Sequence, residues 1–237
     1  MNIKQFLIFL FAFCITVANA QGRKFNFGVS LFPNLSFGII SNDGSVPGGV
    51  EEQIKSLEVS QICNSVGFFT EYKLGKKSAL GFGLGMQKNG ESTGKRDLYL
   101  NINPQTGQPI YDPAVPRQVK TDYNRYNVEI PLYYKFHFGK RSYFVVGSSA
   151  FFNVANTTKS VFYFETKKER STSKDESTDY RFVNFSGNIG YGFDFFRKEN
   201  FNLFFQLYAQ YGILGVSKSA PLNRNFLSIG FVIGVKF

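Results

Sequence analysis

The sequence predicts an all-β protein, an eight-stranded antiparallel up-and-down transmembrane β-barrel. Apolar residues recur at every second position in eight separate segments, the period that gives a strand one greasy and one mixed face. The connections between the segments run long, short, long, short, long, short, long, as an even-stranded barrel requires when its tight turns all lie at one end. The composition agrees: 29 Phe and 13 Tyr stand beside 23 Gly and no Trp, a pairing that suits aromatic girdles around closely packed small-residue faces.

Residues 1–20 stand apart from this pattern. Lys4 supplies a positive start, 6–17 are mostly apolar, and Ala18-Asn19-Ala20 has the small-x-small form that signal peptidase accepts. We read 1–20 as a secretory signal peptide and 21–237 as the barrel domain. The apolar run is too short to cross a bilayer as a helix, and no later run of about eighteen apolar residues appears, which excludes a helical membrane protein. Of the 2 cysteines, Cys14 lies in the signal and Cys63 is left without an internal partner. An exported chain of this kind takes its stability from burial and backbone bonding. Losing Lys4 lowers the formal charge from +10 to +9, because 1–20 hold no acid. For an exported basic chain the expected anionic neighbours are phosphorylated lipid headgroups, including lipopolysaccharide, and not nucleic acid.

In chain order, the first segment, 24–40, sets Phe25, Phe27, Val29 and Leu31 against Asn26, Gly28 and Ser30; Pro33 predicts a bend or edge position before Leu35, Phe37 and Ile39 resume. The loop over 41–63 carries Asp43-Gly44 and Pro47-Gly48-Gly49, and inside it Val50, Ile54 and Leu57 have helical spacing. The second segment, 64–74, opposes Val66, Phe68, Tyr72 and Leu74 to Gly67, Glu71 and Lys73. A tight turn at 75–78 leads to the third, where Leu80, Phe82, Leu84 and Met86 alternate with Gly81, Gly83, Gly85 and Gln87. These glycines have the wrong spacing for a nucleotide loop and read as a glycine-lined strand face.

The longest connection, 88–121, is rich in proline, and connections of that length inside a compact domain usually carry function or disorder. The fourth segment, 123–138, alternates best: Tyr126, Val128, Ile130, Leu132, Tyr134, Phe136 and Phe138 oppose Asn127, Glu129, Pro131, Tyr133, Lys135 and His137. After a turn at 139–142 the fifth carries Phe144, Val146, Phe152 and Val154 against Gly147 and Ser149. A long connection over 156–180 is flanked by 161–164, which predicts strands extending beyond the membrane layer. The sixth segment, 182–195, sets Phe185, Ile189, Tyr191 and Phe193 against Ser186, Asn188, Gly190, Gly192 and Asp194. A third short turn at 197–200 precedes the seventh, 201–213, with Phe205, Leu207, Tyr211 and Ile213 against Gln206, Gln210 and Gly212. The chain closes on 225–237, where Leu227, Ile229, Phe231, Ile233, Val235 and Phe237 alternate with Ser228, Gly230, Gly234 and Lys236.

In lipid every backbone donor and acceptor must be paired within the protein, and a closed sheet does this with no edge left over. A soluble lipocalin-like barrel would point the apolar face inward, and parity alone does not choose between the two. Strand lengths that cross a bilayer, and the charges Glu71, Lys73, Glu129, Lys135, Asp194 and Lys236 on the other face, favour lipid outside. The expected location is the cell outer membrane, with both termini and the three basic short turns periplasmic and the loops around Gln53, Thr106, Ser173 and Ser219 extracellular.

Gly28 with Pro33-Asn34-Leu35-Ser36, then Val66-Gly67-Phe68-Phe69, then 126–136 with its Glu129-Ile130-Pro131-Leu132 core, then Gly190-Tyr191-Gly192 and a terminal Phe237 resemble the PorT-like outer-membrane β-barrel family of Bacteroidota. The resemblance covers nearly all of 21–237. It implies an eight-stranded outer-membrane barrel without a catalytic motif, some of whose relatives assist protein secretion. Phe237 also resembles the C-terminal signal read by barrel insertion machinery, which makes that machinery an expected partner.

His137 is the only histidine, and one His without a second His or paired Cys argues against a zinc site or a Ser-His-Asp triad. We expect no cofactor and no enzymatic activity; a paired-carboxylate hydrolase using Glu71 and Glu129 is disfavoured by the nearby lysines. Glu71, Lys73, Glu129, Lys135 and Asp194 are instead expected to form a polar network that plugs the lumen. The long loops are then the place for binding or for a structural or secretion-accessory role. Lys95, Arg96, Arg117, Lys120 and Arg125 are the candidate contacts to a protein, glycan or lipopolysaccharide phosphate. The alternative function is a narrow passive channel for small solutes.

Overall fold

The computed structural model describes residues 25–42, 44–98, 105–106, 115–175, 179–198, 201–218 and 222–237. The signal-peptide segment, residues 99–104 and 107–114 of the 88–121 connection, and Ser219 lie outside them. The elements are β1 (Phe25–Asn42), α1 (Gly48–Leu57), β2 (Glu58–Val59), β3 (Gln61–Lys73), β4 (Ser78–Thr93), β5 (Arg96–Asp97), β6 (Gln118–His137), β7 (Ser142–Tyr163), β8 (Lys168–Lys174), β9 (Val183–Arg197), β10 (Asn202–Gly212) and β11 (Leu222–Lys236). All pairings are antiparallel. From β1 the hydrogen-bonded neighbours run β3, β4, β6, β7, β9, β10 and β11, and β11 pairs back onto β1. Each of these eight long strands has a partner on both edges. They are the eight segments read from the alternation.

The other three strands are short additions at the long-loop end: β2 pairs with Ser92 and Thr93, β5 with Gln118 and Val119, and β8 with 157–163. At about 3.3 Å per residue, the 22 residues of β7 overshoot an apolar layer of about 25 Å even when tilted by about 45°. The large exposed apolar side chains of β7 accordingly stop at Val154, and the stretch beyond it builds a sheet extension with β5, β6 and β8. The connection read as 156–180 is therefore largely strand, as its flank at 161–164 implied. The helical spacing at Val50, Ile54 and Leu57 is realised as α1.

Parity holds around the ring. Leu31, Phe68, Phe82, Leu132, Val146, Ile189, Leu207 and Ile233 are all exposed, and together they make an apolar belt that in water would be an aggregation surface and in lipid is the solvated face. The other face is closely packed. The ring of Tyr133 lies where a side chain at Gly81 would go, 2.2 Å from an ideal Cβ, and Tyr143 fills the same space over Gly192 at 2.2 Å. Gly81 of β4 is thus the floor on which a bulky lumen tyrosine rests, while Gly83 and Gly85 lie close against neighbouring backbone.

Both mid-strand prolines stay inside their strands. Pro33 falls where the β1–β11 ladder lapses between Leu31 and Asn34, and Pro131 where the β4–β6 ladder lapses between Glu129 and Leu132. A ring nitrogen that cannot donate sits where no donor is used. At the closing seam Phe27 and Phe237 exchange both backbone hydrogen bonds, 3.2 and 2.7 Å, so both ends of the described chain lie at the short-turn end.

Candidate functional site

The lumen is filled in layers. Nearest the short turns, Lys135 of β6 pairs with Glu71 of β3, and Lys236 of β11 reaches Asp194 of β9 at 3.0 Å and Glu71 at 3.9 Å. These four side chains are only 1–4% exposed. The Tyr133 hydroxyl donates to Glu71 at 3.3 Å, and the Lys135 ammonium sits over the Tyr143 ring at 4.4 Å. Two acids and two lysines balance, and Arg197 at the rim adds a second contact to Asp194 at 2.6 Å. A buried ionic cluster survives only when every charge has a partner, and here each does.

Two of the expected members stand apart from this cluster. Lys73 has the right parity but is the last residue of β3, so its side chain leaves at the rim, is exposed, and makes no ion pair among the described residues; Lys236 takes that place. Glu129 lies six residues before Lys135 on one strand, roughly 20 Å at 3.3 Å per residue. It belongs to a separate amide and hydroxyl layer, accepting from Ser149 Oγ and Gln210 Nε2 at 2.8 Å each. Between the two layers, Phe69 meets Phe204 edge-on at 5.6 Å and Phe32 meets Tyr208 at 5.1 Å. The space left there is about 100 Å³. His137 tilts against Tyr143 at 5.3 Å, a packing role.

Toward the long loops, Asn89, Asn127, Asn153 and Asn156 are chained by side-chain hydrogen bonds of 2.8–3.1 Å, and Gln61 donates to Asn124 at 2.8 Å. Above them opens a cavity of about 390 Å³, lined by residues of α1, β2, β4, β5, β6, β7 and β11 together with Asp175, Tyr180, Val216 and Ser217. Arg224 clasps its wall: its Nε and Nη2 donate to Glu58 Oε1 at 3.0 and 2.7 Å, and Nε lies 3.2 Å from Glu91 Oε2. This ties β2 and α1 across the mouth. Opposite, the Arg125 guanidinium lies over the Tyr180 ring at 4.5 Å, and the Tyr180 hydroxyl donates to Asp175 at 2.5 Å. The extra residue Val154 in the β6–β7 ladder brings Asn156, not Ala155, opposite Arg125, and Arg125 Nε donates to its side chain at 3.4 Å.

These charges lie beyond the apolar belt, which on β4 ends at Met86, and their environment is partly dry. Burial pushes the Glu91 carboxyl up to about 7, with Arg224 opposing and Glu58 adding to the effect. Burial lowers Arg125 to about 10, and burial together with Asp175 pushes the Tyr180 phenol up to about 12. Arg224, although burial works against its charge, is held above the usual arginine value by Glu91 and Glu58.

The five expected loop contacts separate here. Arg117 pairs with Glu165 at 3.0 Å, Lys120 with Asp122 at 3.5 Å, and Lys95 sits over the Tyr163 ring at 4.4 Å. Arg96 and Arg125 line the cavity. Sequence reasoning missed Glu58, Glu91, Tyr180 and Arg224, which come from four distant parts of the chain without shared periodicity. Lys236 was legible from the alternation of the last strand.

Similar solved structures include neisserial surface protein A (11% identity, 90% of this chain and 96% of that one, TM-score 0.39). The attachment invasion locus protein Ail of Yersinia pestis also aligns (11%, 90% and 98%, TM-score 0.37), as does OprG of Pseudomonas aeruginosa (12%, 90% and 95%, TM-score 0.32). The comparison with curated proteins gives no match. Residues 19–218 match the outer membrane protein beta-barrel domain, and the chain belongs to that family of outer-membrane barrels.

Proposed function

We propose that the protein is an outer-membrane barrel with a sealed bore, whose role is exercised by a binding site at its long-loop end. One contrast carries the reading: the lumen near the short turns is closed by a balanced ionic cluster and leaves about 100 Å³, whereas the opposite mouth holds about 390 Å³. Small-molecule sites commonly begin at roughly 300 Å³. The short turns carry Lys76-Lys77, Lys140-Arg141 and Arg197-Lys198, and in this reading they and both termini face the periplasm while the mouth faces outward.

Lipid and lipopolysaccharide surround the belt, and the insertion machinery reads Phe237. The basic edge at Lys95 and Lys120 is available to a protein or glycan partner. The PorT-like resemblance adds a secretion-accessory role as the finer possibility within this class.

Planar-bilayer recording tests the seal: purified protein is expected to give no stable open-channel current, and such a current would favour the narrow-channel alternative. A membrane-impermeant thiol reagent on intact cells tests the orientation. It should label Thr106→Cys and not Ser142→Cys, with Cys63 silent because it is buried; the reverse pattern overturns the topology.

A further inference from the structure

Of the six charged groups that line the mouth, four are engaged by an oppositely charged or hydroxyl partner and two arginines have no ion pair among the described residues. Arg224 is engaged by Glu58 and Glu91, and Asp175 accepts from Tyr180. Arg125 and Arg96, which line the same cavity, make no ion pair among the described residues. Arg125 Nη2 and Arg96 Nε are moreover buried without a hydrogen-bond partner. Glu91 and Asp175 act on Arg125 only from beyond ion-pair distance. A buried guanidinium lacking a close anion is costly, and this one is also held in place, stacked on Tyr180 and anchored to Asn156. A preorganised cation beside an open cavity is the form of an anion site.

We propose that the mouth cavity binds a small organic monocarboxylate, its carboxylate held by Arg125 with Arg96 as second donor; the proposal rests on the binding role given above. The rest of the wall selects the class. Glu58, Glu91 and Asp175 line the same space and offset Arg96, Arg125 and Arg224, so the mouth lacks the surplus positive charge that a dianion such as phosphate or a sulfate-rich glycan requires. A planar carboxylate matches the guanidinium fork and carries one charge. Ile54, Leu57, Val216, Leu222 and Phe226 supply apolar wall, which calls for an organic body and not a bare inorganic ion.

The test is calorimetric titration of the purified, detergent-folded full chain with hexanoate, benzoate and phenylacetate, each against its primary amide, and with inorganic phosphate. At least one carboxylate is expected to bind with a Kd below about 1 mM, its amide about tenfold or more weaker. Phosphate should bind more weakly than that carboxylate. Arg125→Gln should weaken binding by about tenfold or more, while Lys140→Gln at a short turn leaves it unchanged, with folding of each variant checked by heat-modifiable gel mobility. Should Arg125→Gln not fold, Arg125→Lys decides, since it keeps the charge but loses the fork and should bind several-fold more weakly. No carboxylate binding below about 10 mM overturns the proposal. So does an amide or phosphate bound as tightly as the carboxylate, or an Arg125 variant that binds like the parent. Channel currents without loss of carboxylate binding would remove the sealed-bore reading alone.

Discussion

Removing Lys135 probes the lumen most directly. In Lys135→Met, Glu71 keeps the Tyr133 hydroxyl and Lys236 at 3.9 Å, but Lys236 is already engaged by Asp194 at 3.0 Å. The carboxylate is 2% exposed, so water cannot replace the lost ammonium. Breaking a buried pair by deleting one partner costs about 3–5 kcal/mol, whereas replacing both partners with neutral groups of similar volume is often close to neutral. Glu71→Gln with Lys135→Met should therefore lie within about 2 kcal/mol of the parent and recover most of the single-variant loss. The chain has no Trp, so urea unfolding in lipid vesicles is followed by far-ultraviolet circular dichroism and by heat-modifiable mobility. A loss of less than about 1 kcal/mol for Lys135→Met, the scale of a solvated pair, or a double variant that costs the sum of the singles, would refute the buried-cluster argument.

At the mouth, Glu91 has its folded-state pKa raised to about 7 from 4.5. The folded state therefore holds this proton more tightly than the unfolded chain, and the stabilisation is full below about 4.5 and lost as pH rises through 7. Glu58, Arg224 and Arg125 are the charged groups acting on it, so amide protection factors over α1 and β2, taken relative to the intrinsic exchange rate at each pH, are expected to be higher at pH 6 than at pH 8. Glu91→Gln should flatten that difference; an unchanged pH response in the variant counts against Glu91 as its source. Gly81→Ala places a Cβ 2.2 Å from the buried Tyr133 ring and should destabilise by about 1–3 kcal/mol, read by the same urea titration. Deleting Phe237 removes both seam hydrogen bonds to Phe27 and should lower the yield of folded protein in the outer membrane more than any single loop substitution; normal yield would show that the terminal residue is not read during assembly.

The period of two in the sequence was enough to identify the eight long strands and to sort residues such as Phe82 and Gly81 to opposite faces, because pleating fixes side-chain direction locally. The closing strand was legible too: 225–237 does pair with β1. Parity also placed Glu71, Lys135 and Asp194 in the lumen. It could not say that Lys73 exits at the rim, or that Glu129 lies in a different layer, because depth along a bore depends on where each strand starts relative to its neighbours.

At the mouth the sequence singled out Arg96 and Arg125 as loop charges but not the groups gathered around them. Arg224, Glu58 and Glu91 meet only after closure brings β11, β2 and β4 to one end, and Arg125 faces Asn156 only because the ladder carries one extra residue at Val154. The sequence by itself determined the strand pattern, the apolar belt and the membrane-barrel class, all set by contacts within a strand or between near neighbours. The tertiary structure alone decided which charges are paired, which guanidinium has no ion pair among the described residues, and how the lumen side chains are layered. Those outcomes depend on inter-strand register and on groups brought together from distant parts of the chain.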